Sequence, residues 1–294
     1  MTLSIKCRAD DNDKHSSDVS CLLHHKSKLY SAADDGKIKV WSNDLKLLGT
    51  VEAHPCSVFS LTASEDTIYS CSNDGTIKSW TLDLQEKGLV YKGETEIWKV
   101  LYVNGILYAG DDQGDVMLFK NDKFFCGINI LEPVKDMIIV GNVIYAIRDI
   151  YLTMVEIHIK EDGKGMYSII KSVHGRGPIN LTDGKLFFMN REGKGLVVIE
   201  SSKEKQYKEV AQLDNAHDLI INTIFAERFN NVTKIYTGGW DKLIKEWTLS
   251  PNNKIEPGRS CSVDFSVSII TSTGDGKILF AAGGDGHLVA IDIS

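Results

Sequence analysis

The 294-residue sequence has no run approaching 18 apolar residues, and its first residues, "MTLSIKCRADD", contain no apolar core. The first absence argues against a membrane-spanning helix and the second against a secretory leader. Without secretion, the sequons Asn180-Leu-Thr and Asn231-Val-Thr read as chance matches, and cytosol or nucleus is the expected compartment. Charge of one sign is not gathered anywhere: the net −7 is spread along the chain, which speaks against a phosphate-binding surface or an acidic tail. No Lys/Arg run with interleaved aromatics suits direct nucleic-acid binding. The six cysteines (Cys7, Cys21, Cys56, Cys71, Cys126 and Cys261) form no CxxC pair and no zinc spacing, so they read as reduced thiols mostly buried in strands. Eight histidines build no HxH or HExxH, and neither GxxxxGK[ST] nor GxGxxG occurs. No cofactor and no metal is therefore expected. Helical periodicity is almost missing as well.

A repeated hairpin takes its place. "KLYSAADDGKIKVW" ending at Trp41 returns as "TIYSCSNDGTIKSW" at Trp80, "ILYAGDDQGDVMLF" at Phe119 and "KIYTGGWDKLIKEW" at Trp247. An aliphatic–aromatic pair marks each copy: Leu29-Tyr30, Ile68-Tyr69, Leu107-Tyr108, Ile144-Tyr145, Leu186-Phe187, Ile235-Tyr236 and Leu279-Phe280. The aromatics are 39, 39, 37, 42, 49 and 44 residues apart, close to the length of a four-stranded propeller blade. In five units a glycine follows six residues later (Gly36, Gly75, Gly114, Gly193, Gly286), where a tight hairpin needs positive φ. Tyr151 and Lys242 stand there in the other two, so those turns should differ.

Segments such as "KIKVW" and "LIKEW" alternate apolar and polar residues as half-buried strands do. A further apolar stretch lies on either side of each hairpin, giving four strands per unit. One four-stranded sheet cannot bury both faces, whereas seven stacked radially can. The last unit holds three strands, near Ser266–Thr271, Ile278–Ala282 and Leu288–Asp292. Thr2–Cys7, with Leu3, Ile5 and Cys7 on one face, supplies the fourth and removes an open edge. The reading is one all-β, seven-bladed β-propeller domain over 1–294, with units at 9–50, 51–92, 93–131, 132–173, 174–214, 215–262, and 263–294 joined by 1–8.

At these residues the chain resembles the WD-repeat family of propellers. The family blade carries His before its first strand, Ser or Thr on the second, Asp in the next turn and Trp on the third. The resemblance implies structural tetrads His15–Ser31–Asp35–Trp41, His54–Ser70–Asp74–Trp80 and His217–Thr237–Asp241–Trp247. A buried Asp needs donors, and imidazole, hydroxyl and indole can form a chain of them. Units three, five and seven depart from the pattern and unit four hardly matches. Those blades should close by apolar packing. Three copies of one His/Asp/Ser set imply scaffolding rather than a catalytic triad.

The resemblance further implies a non-enzymatic scaffold or adaptor, binding proteins or peptides on the narrower top face as a subunit of a complex. Matching positions there are Asp34, Asn73, Asp112, Arg191 and Trp240 before or at the turns, and Phe59, Trp98 and Lys99 at first strands. Trp240, in "TGGWDK", is either a binding hot spot or a cover for a neighbouring blade. Trp98 aligns with the core-facing Val58 and Val19, which favours packing. Arg148, Arg176 and Arg191 could form an acidic-ligand pocket or a solvated face. The alternatives are a substrate receptor of a ubiquitin ligase, although no WDxR docking signature follows the tryptophans, and an enzyme with a central-channel site, which would need convergent titratable groups.

Overall fold

The computed structural model describes residues 2–294. An N-terminal strand, β1 (Ser4–Arg8), comes first. Blade one is β2 (Val19–His25), β3 (Lys28–Ala33), β4 (Lys37–Trp41) and β5 (Leu47–Glu52). Blade two is β6 (Val58–Ala63), β7 (Thr67–Ser72), β8 (Thr76–Thr81) and β9 (Glu86–Lys92). Blade three is β10 (Ile97–Val103), β11 (Ile106–Asp111), β12 (Asp115–Lys120) and β13 (Lys123–Asn129). Blade four is β14 (Asp136–Val140), β15 (Val143–Ile147), β16 (Tyr151–Ile159) and β17 (Gly165–His174). Blade five is β18 (Arg176–Thr182), β19 (Lys185–Met189), β20 (Leu196–Glu200) and β21 (Glu209–Leu213). Blade six is β22 (Ile221–Phe229), β23 (Val232–Gly239), β24 (Leu243–Leu249) and β25 (Ile255–Ser262). Blade seven is β26 (Val267–Ser272), β27 (Ile278–Gly283), β28 (Leu288–Asp292) and β1. The fold is the all-β, seven-bladed propeller implied by the repeat, each blade a four-stranded antiparallel sheet.

Closure comes from β1, which pairs antiparallel with β28 through Ser4↔Asp292 and Ile5↔Ile291, then bulges before Cys7↔Ala290. The paired strand starts two residues later than the sequence suggests. Leu3 leaves the ladder to donate its N–H to the Ser260 carbonyl at 3.0 Å, and its side chain enters the core with Ile244, Val263 and Ile291.

The blades fall into two compact units, described here in turn. One holds blades one to four within Ser20–Trp41 and Leu47–Val173; the other holds blades five to seven and includes Ser42–Lys46 and His174–Ser294. In both, the core lies between sheets. Tyr30, Ala32 and Ile38 of blade one share a cluster with Val58, Ile68 and Trp80 of blade two. Tyr69 and Ile77 meet Ile97 and Leu107 of blade three, and Tyr108 and Val116 meet Met137 and Ile144 of blade four. In the other unit Phe187 and Val198 meet Ile221 and Trp247, and Tyr236 and Ile244 meet Val267 and Leu279. The period of two along each strand is what sends alternate residues to opposite neighbours.

The turn glycines adopt the left-handed region: Gly36 has φ 77°, and a Cβ there would lie 2.2 Å from the His54 carbonyl oxygen. Lys242 takes the same conformation with φ 61°, so the blade-six turn is not of another kind. The expectation failed because Lys, although disfavoured there, is not barred from the αL region. Blade four does differ: its turn, Arg148, Asp149 and Ile150, is as long as that of blade one but holds no residue with positive φ. Only two cysteines, Cys71 and Cys126, are fully buried, fewer than expected, and all six are free thiols.

Leu3→Ala should destabilise the protein by about 2–4 kcal/mol, as truncating a well-packed core leucine does. Urea unfolding of the variant against wild type checks this; an unchanged midpoint would mean that the N-terminal strand does not hold the last blade.

Candidate functional site

The His-containing sets of blades two and six form complete hydrogen-bond chains. In blade two, Trp80 Nε1 donates to Ser70 Oγ at 2.9 Å, Ser70 Oγ lies 2.8 Å from His54 Nε2, and His54 Nδ1 lies 3.2 Å from Asp74 Oδ2. Blade six repeats it: Trp247 Nε1 to Thr237 Oγ1 at 2.9 Å, Thr237 to His217 Nε2 at 2.7 Å, and His217 Nδ1 to Asp241 Oδ2 at 2.8 Å. A neutral imidazole protonated at Nδ1 satisfies every partner: it donates to the carboxylate and accepts from the hydroxyl. In blade one Trp41 Nε1 donates to Ser31 Oγ at 2.9 Å, Asp35 accepts from the Lys37 N–H at 3.0 Å, and His15 is buried. Ser31, Ser70 and Thr237 are wholly buried, so no substrate meets their hydroxyls. The sets brace the turns.

Blades three and five do not rely on apolar packing alone, contrary to the sequence reading. Asp111, buried at the start of its turn, accepts from the Thr95 hydroxyl at 2.8 Å and from the N–H groups of Gln113 and Asp115. Asn190 accepts from the N–H groups of Lys194 and Gly195 and donates to the Asp214 carbonyl. An acid or amide three residues before the turn glycine thus does the work of the turn Asp.

Outside this bracing, one backbone bond recurs. The residue before the turn Asp or its equivalent donates its N–H to the loop that leads into the first strand of its own blade: Asn73 to the Ser57 carbonyl, Asp112 to that of Glu96, and Trp240 to that of Ile220. Turn and loop are therefore held edge to edge, and their side chains share one surface.

In blades one to four, this edge gathers several of the anticipated residues. Phe59 and Trp98 stack with ring centroids 4.3 Å apart and 6° between planes. Trp98 Nε1 donates to Asp112 Oδ1 at 3.2 Å, and the Lys135 ammonium lies 5.7 Å from the Trp98 ring. Here the alignment of Trp98 with Val58 and Val19 is corrected. Ile97, not Trp98, occupies the buried position opposite Asp111, as Val58 does opposite Ser72; Trp98 matches Phe59 and is only half-buried. A bulge after each of these residues hid the register. Lys99 Nζ pairs with Asp136 at 2.8 Å; burial pulls its pKa down, but the charge and hydrogen bond of Asp136 outweigh that and leave it above the usual lysine range. Asp34 and Asn73 are exposed at their turns. Arg148 pairs with Glu132 and lies over the Tyr151 ring, so its guanidinium is not a free point of charge.

In blades five to seven the edge is apolar. Trp240 is 63% exposed in its turn, with Leu219 at 49% and Ile220 at 46% in the loop bonded to it. Trp240 does not cover a neighbouring blade. The patch continues to the blade-five turn, where the Ile221 N–H donates to the Gly193 carbonyl at 2.8 Å. Arg176 Nε donates to the Arg191 carbonyl at 2.8 Å, and the Arg191 side chain is exposed. Leu219 and Ile220 went unnoticed in the sequence, yet a signal exists: "DLI" places two large apolar residues where the matching loops read Cys56-Ser57 and Thr95-Glu96. Lys135 and Glu132 carry no comparable pattern.

A family model described as "WD domain, G-beta repeat" matches residues 11–42 and 45–81. No curated protein matches the chain. Among solved structures, the WD40 β-propeller domain of Doa1 superposes with a TM-score of 0.80 at 13% identity, covering 99% of this chain and 97% of that one. U3-55K gives 0.77 at 13% identity over 95% and 96%, and the computationally designed Ika8 protein 0.72 at 16% identity over 96% and 98%.

Burial holds His54 and His217 below the ordinary histidine value of 6.5, and the carboxylates of Asp74 and Asp241 only partly offset it. With both pKa values depressed on folding, the unfolded chain binds more protons; the stability is intact above 6.5 and is lost as pH falls through that value. The urea midpoint should therefore drop between about pH 7 and about pH 5. The double variant His54→Gln, His217→Gln should lose less over the same window, and equal losses would mean that these histidines carry no such term.

Proposed function

We propose that the chain is a WD-repeat propeller acting as a non-enzymatic scaffold or adaptor, because two of its repeats match the family model and such propellers generally serve as platforms for protein interaction. In this reading it takes a partner protein at the patch of Trp240, Leu219 and Ile220, in a cytosolic or nuclear complex. One observation carries the proposal: three large apolar side chains stand exposed together on backbone that is already hydrogen-bonded in place. Exposed apolar patches of this kind mark interaction sites, and a fixed Trp makes a characteristic hot spot. The neighbouring Arg191 and Arg176 favour a partner segment that joins an apolar side chain to an acidic one. Preorganised backbone keeps the ordering cost of binding low.

Capture from lysate on immobilised wild type, Trp240→Ala and Leu48→Ala proteins tests this. Leu48 is 55% exposed but lies on β5, away from the patch. Trp240→Ala should weaken capture of a specific partner by about 2–4 kcal/mol, some thirty-fold or more, with an unchanged melting temperature. Leu48→Ala should capture like wild type. Equal recovery by all three proteins overturns the assignment of the patch.

A further inference from the structure

The third strand of each blade carries one buried residue opposite the repeating aromatic. Six blades fill that position without charge, using Val40, Ser79, Leu118, Met154, Val198 and Ala290. Blade six puts Glu246 there, opposite Tyr236 and only 3% exposed. A charge in a buried row is costly unless it is paired and hydrogen-bonded, so this one calls for a reason. Lys234 Nζ donates to its Oε1 at 2.9 Å, and Arg259 donates to its Oε2 from Nη2 at 2.8 Å and from Nε at 3.2 Å. Burial pushes the Glu246 carboxyl up, but the hydrogen bonds of Arg259 and Lys234 outweigh it and hold it below the ordinary 4.5. The backbone is shaped to this contact. Lys245 pairs with Ser260 and Trp247 with Pro257, so a bulge sets two residues, Gly258 and Arg259, opposite Glu246. Bulges of this kind re-aim side chains. A Cβ on Gly258 would stand 2.8 Å from Glu246 Oε1, so glycine leaves the carboxylate its place.

Arg259 reaches beyond its own blade. Its Nη2 also donates to the Ile293 carbonyl at 2.8 Å and its Nη1 to that of Ser294 at 3.3 Å, just past β28 of blade seven. Ile293 belongs to the cluster that receives Leu3, and Ser260, the residue after Arg259, accepts the Leu3 N–H. Two adjacent residues of β25 thus grip blade seven at both of the strands that close it. Otherwise β1 is lightly held. Its five residues are exposed or half-buried, and its ion pairs Lys6–Asp44 and Arg8–Asp264 face water, where such pairs are worth little.

We propose that Glu246 and Arg259 form a latch that governs local opening of the closing blade. While Arg259 holds the Ile293 carbonyl, Ile293 backs Leu3 and β1 stays on β28. When Arg259 lets go, β1 lifts together with Ile293 and Ser294, while β26, β27 and β28 remain paired. The Ile293 N–H, which donates to the Lys277 carbonyl at 3.0 Å, is freed in the same event. Such an opening is sub-global and lies below the free energy of unfolding. It bares the outer edge of β28 and uncovers Cys261, which packs against the cluster that holds Leu3.

Amide hydrogen exchange of the full-length protein, read residue by residue by NMR under native conditions, tests this. Wild-type Leu3, the β1 amides and Ile293 should exchange at one shared rate, because one event frees them. Arg259→Lys keeps a cation beside Glu246 but loses the planar fork that reaches Ile293. In this variant and in Glu246→Gln the shared rate should rise at least about ten-fold, with β19 and β20 of blade five unchanged. Alkylation of Cys261 by iodoacetamide should quicken in step. Arg228→Gln, which removes an exposed ion pair with Asp183 from the same blade, should exchange like wild type. The latch is overturned if both variants leave the β1 rate unchanged, or if blade five quickens as much as β1. Should neither variant fold, the wild type decides alone: separate rates for Ile293 and β1 overturn the proposal, and one shared rate, faster than that of β27, sustains it.

Discussion

Within each unit a blade depends on its neighbour, because strand alternation gives each sheet two apolar faces and no means of covering them. Tyr30 and Ala32 point one way along β3, into a cluster completed by Trp80 and Ile68 of the following blade. Each such large side chain contributes on the order of 1.5–3 kcal/mol once buried, and next to nothing on a lone sheet. The aromatic at this position is not chosen for bulk alone. The Tyr30 hydroxyl donates to the Leu82 carbonyl at 2.8 Å, and the Tyr69 hydroxyl to Asp122 at 2.8 Å, each acceptor lying in the next blade. Burial drives the Tyr30 pKa to about 12, so the proton stays to make that bond. A ring that fills the gap and a hydroxyl that reaches across it tie adjacent sheets twice.

The same dependence explains the turns. Packing two blades closely brings the β3–β4 turn of one against the chain running into the next, and at Gly36 the approach leaves no room for a Cβ. Around such a turn the N–H groups need acceptors, and Asp74 receives the Thr76 N–H at 2.9 Å while also receiving the His54 proton. Where the His is lost, Asp111 and Asn190 take over from inside the turn. The polar bracing is thus a property of the turn, which several residue sets can meet, and the tetrad is one solution among them.

This is why the fold was so legible and the surface less so. Seven aliphatic–aromatic pairs and five turn glycines report constraints that recur in each blade, and recurrence is visible in one sequence. Trp98 shows the limit. A single-residue bulge between Ile97 and Lys99 shifts it from the buried row to the half-buried one, and no residue in "ETEIWKV" announces that bulge. Lys242 shows another, since a left-handed lysine looks like a broken pattern in sequence while the backbone is the same. The Arg148–Glu132 pair joins residues from a connecting loop and the blade-four turn, an encounter that no repeat predicts.

Trp98 and Trp240 then separate on physical grounds, although both stand at the same edge of their blades. The Trp98 indole is already spent: Phe59 takes one face, Asp112 takes the N–H, and Lys135 stands by the ring. A partner meeting it must first displace those contacts, each worth roughly a kcal/mol. Trp240 has its backbone fixed by Ile220 and its side chain left to water. Binding there gives up only side-chain freedom, about 0.5–1.5 kcal/mol, against the burial of a whole indole. On that balance the exposed tryptophan, not the stacked one, is where a partner gains most.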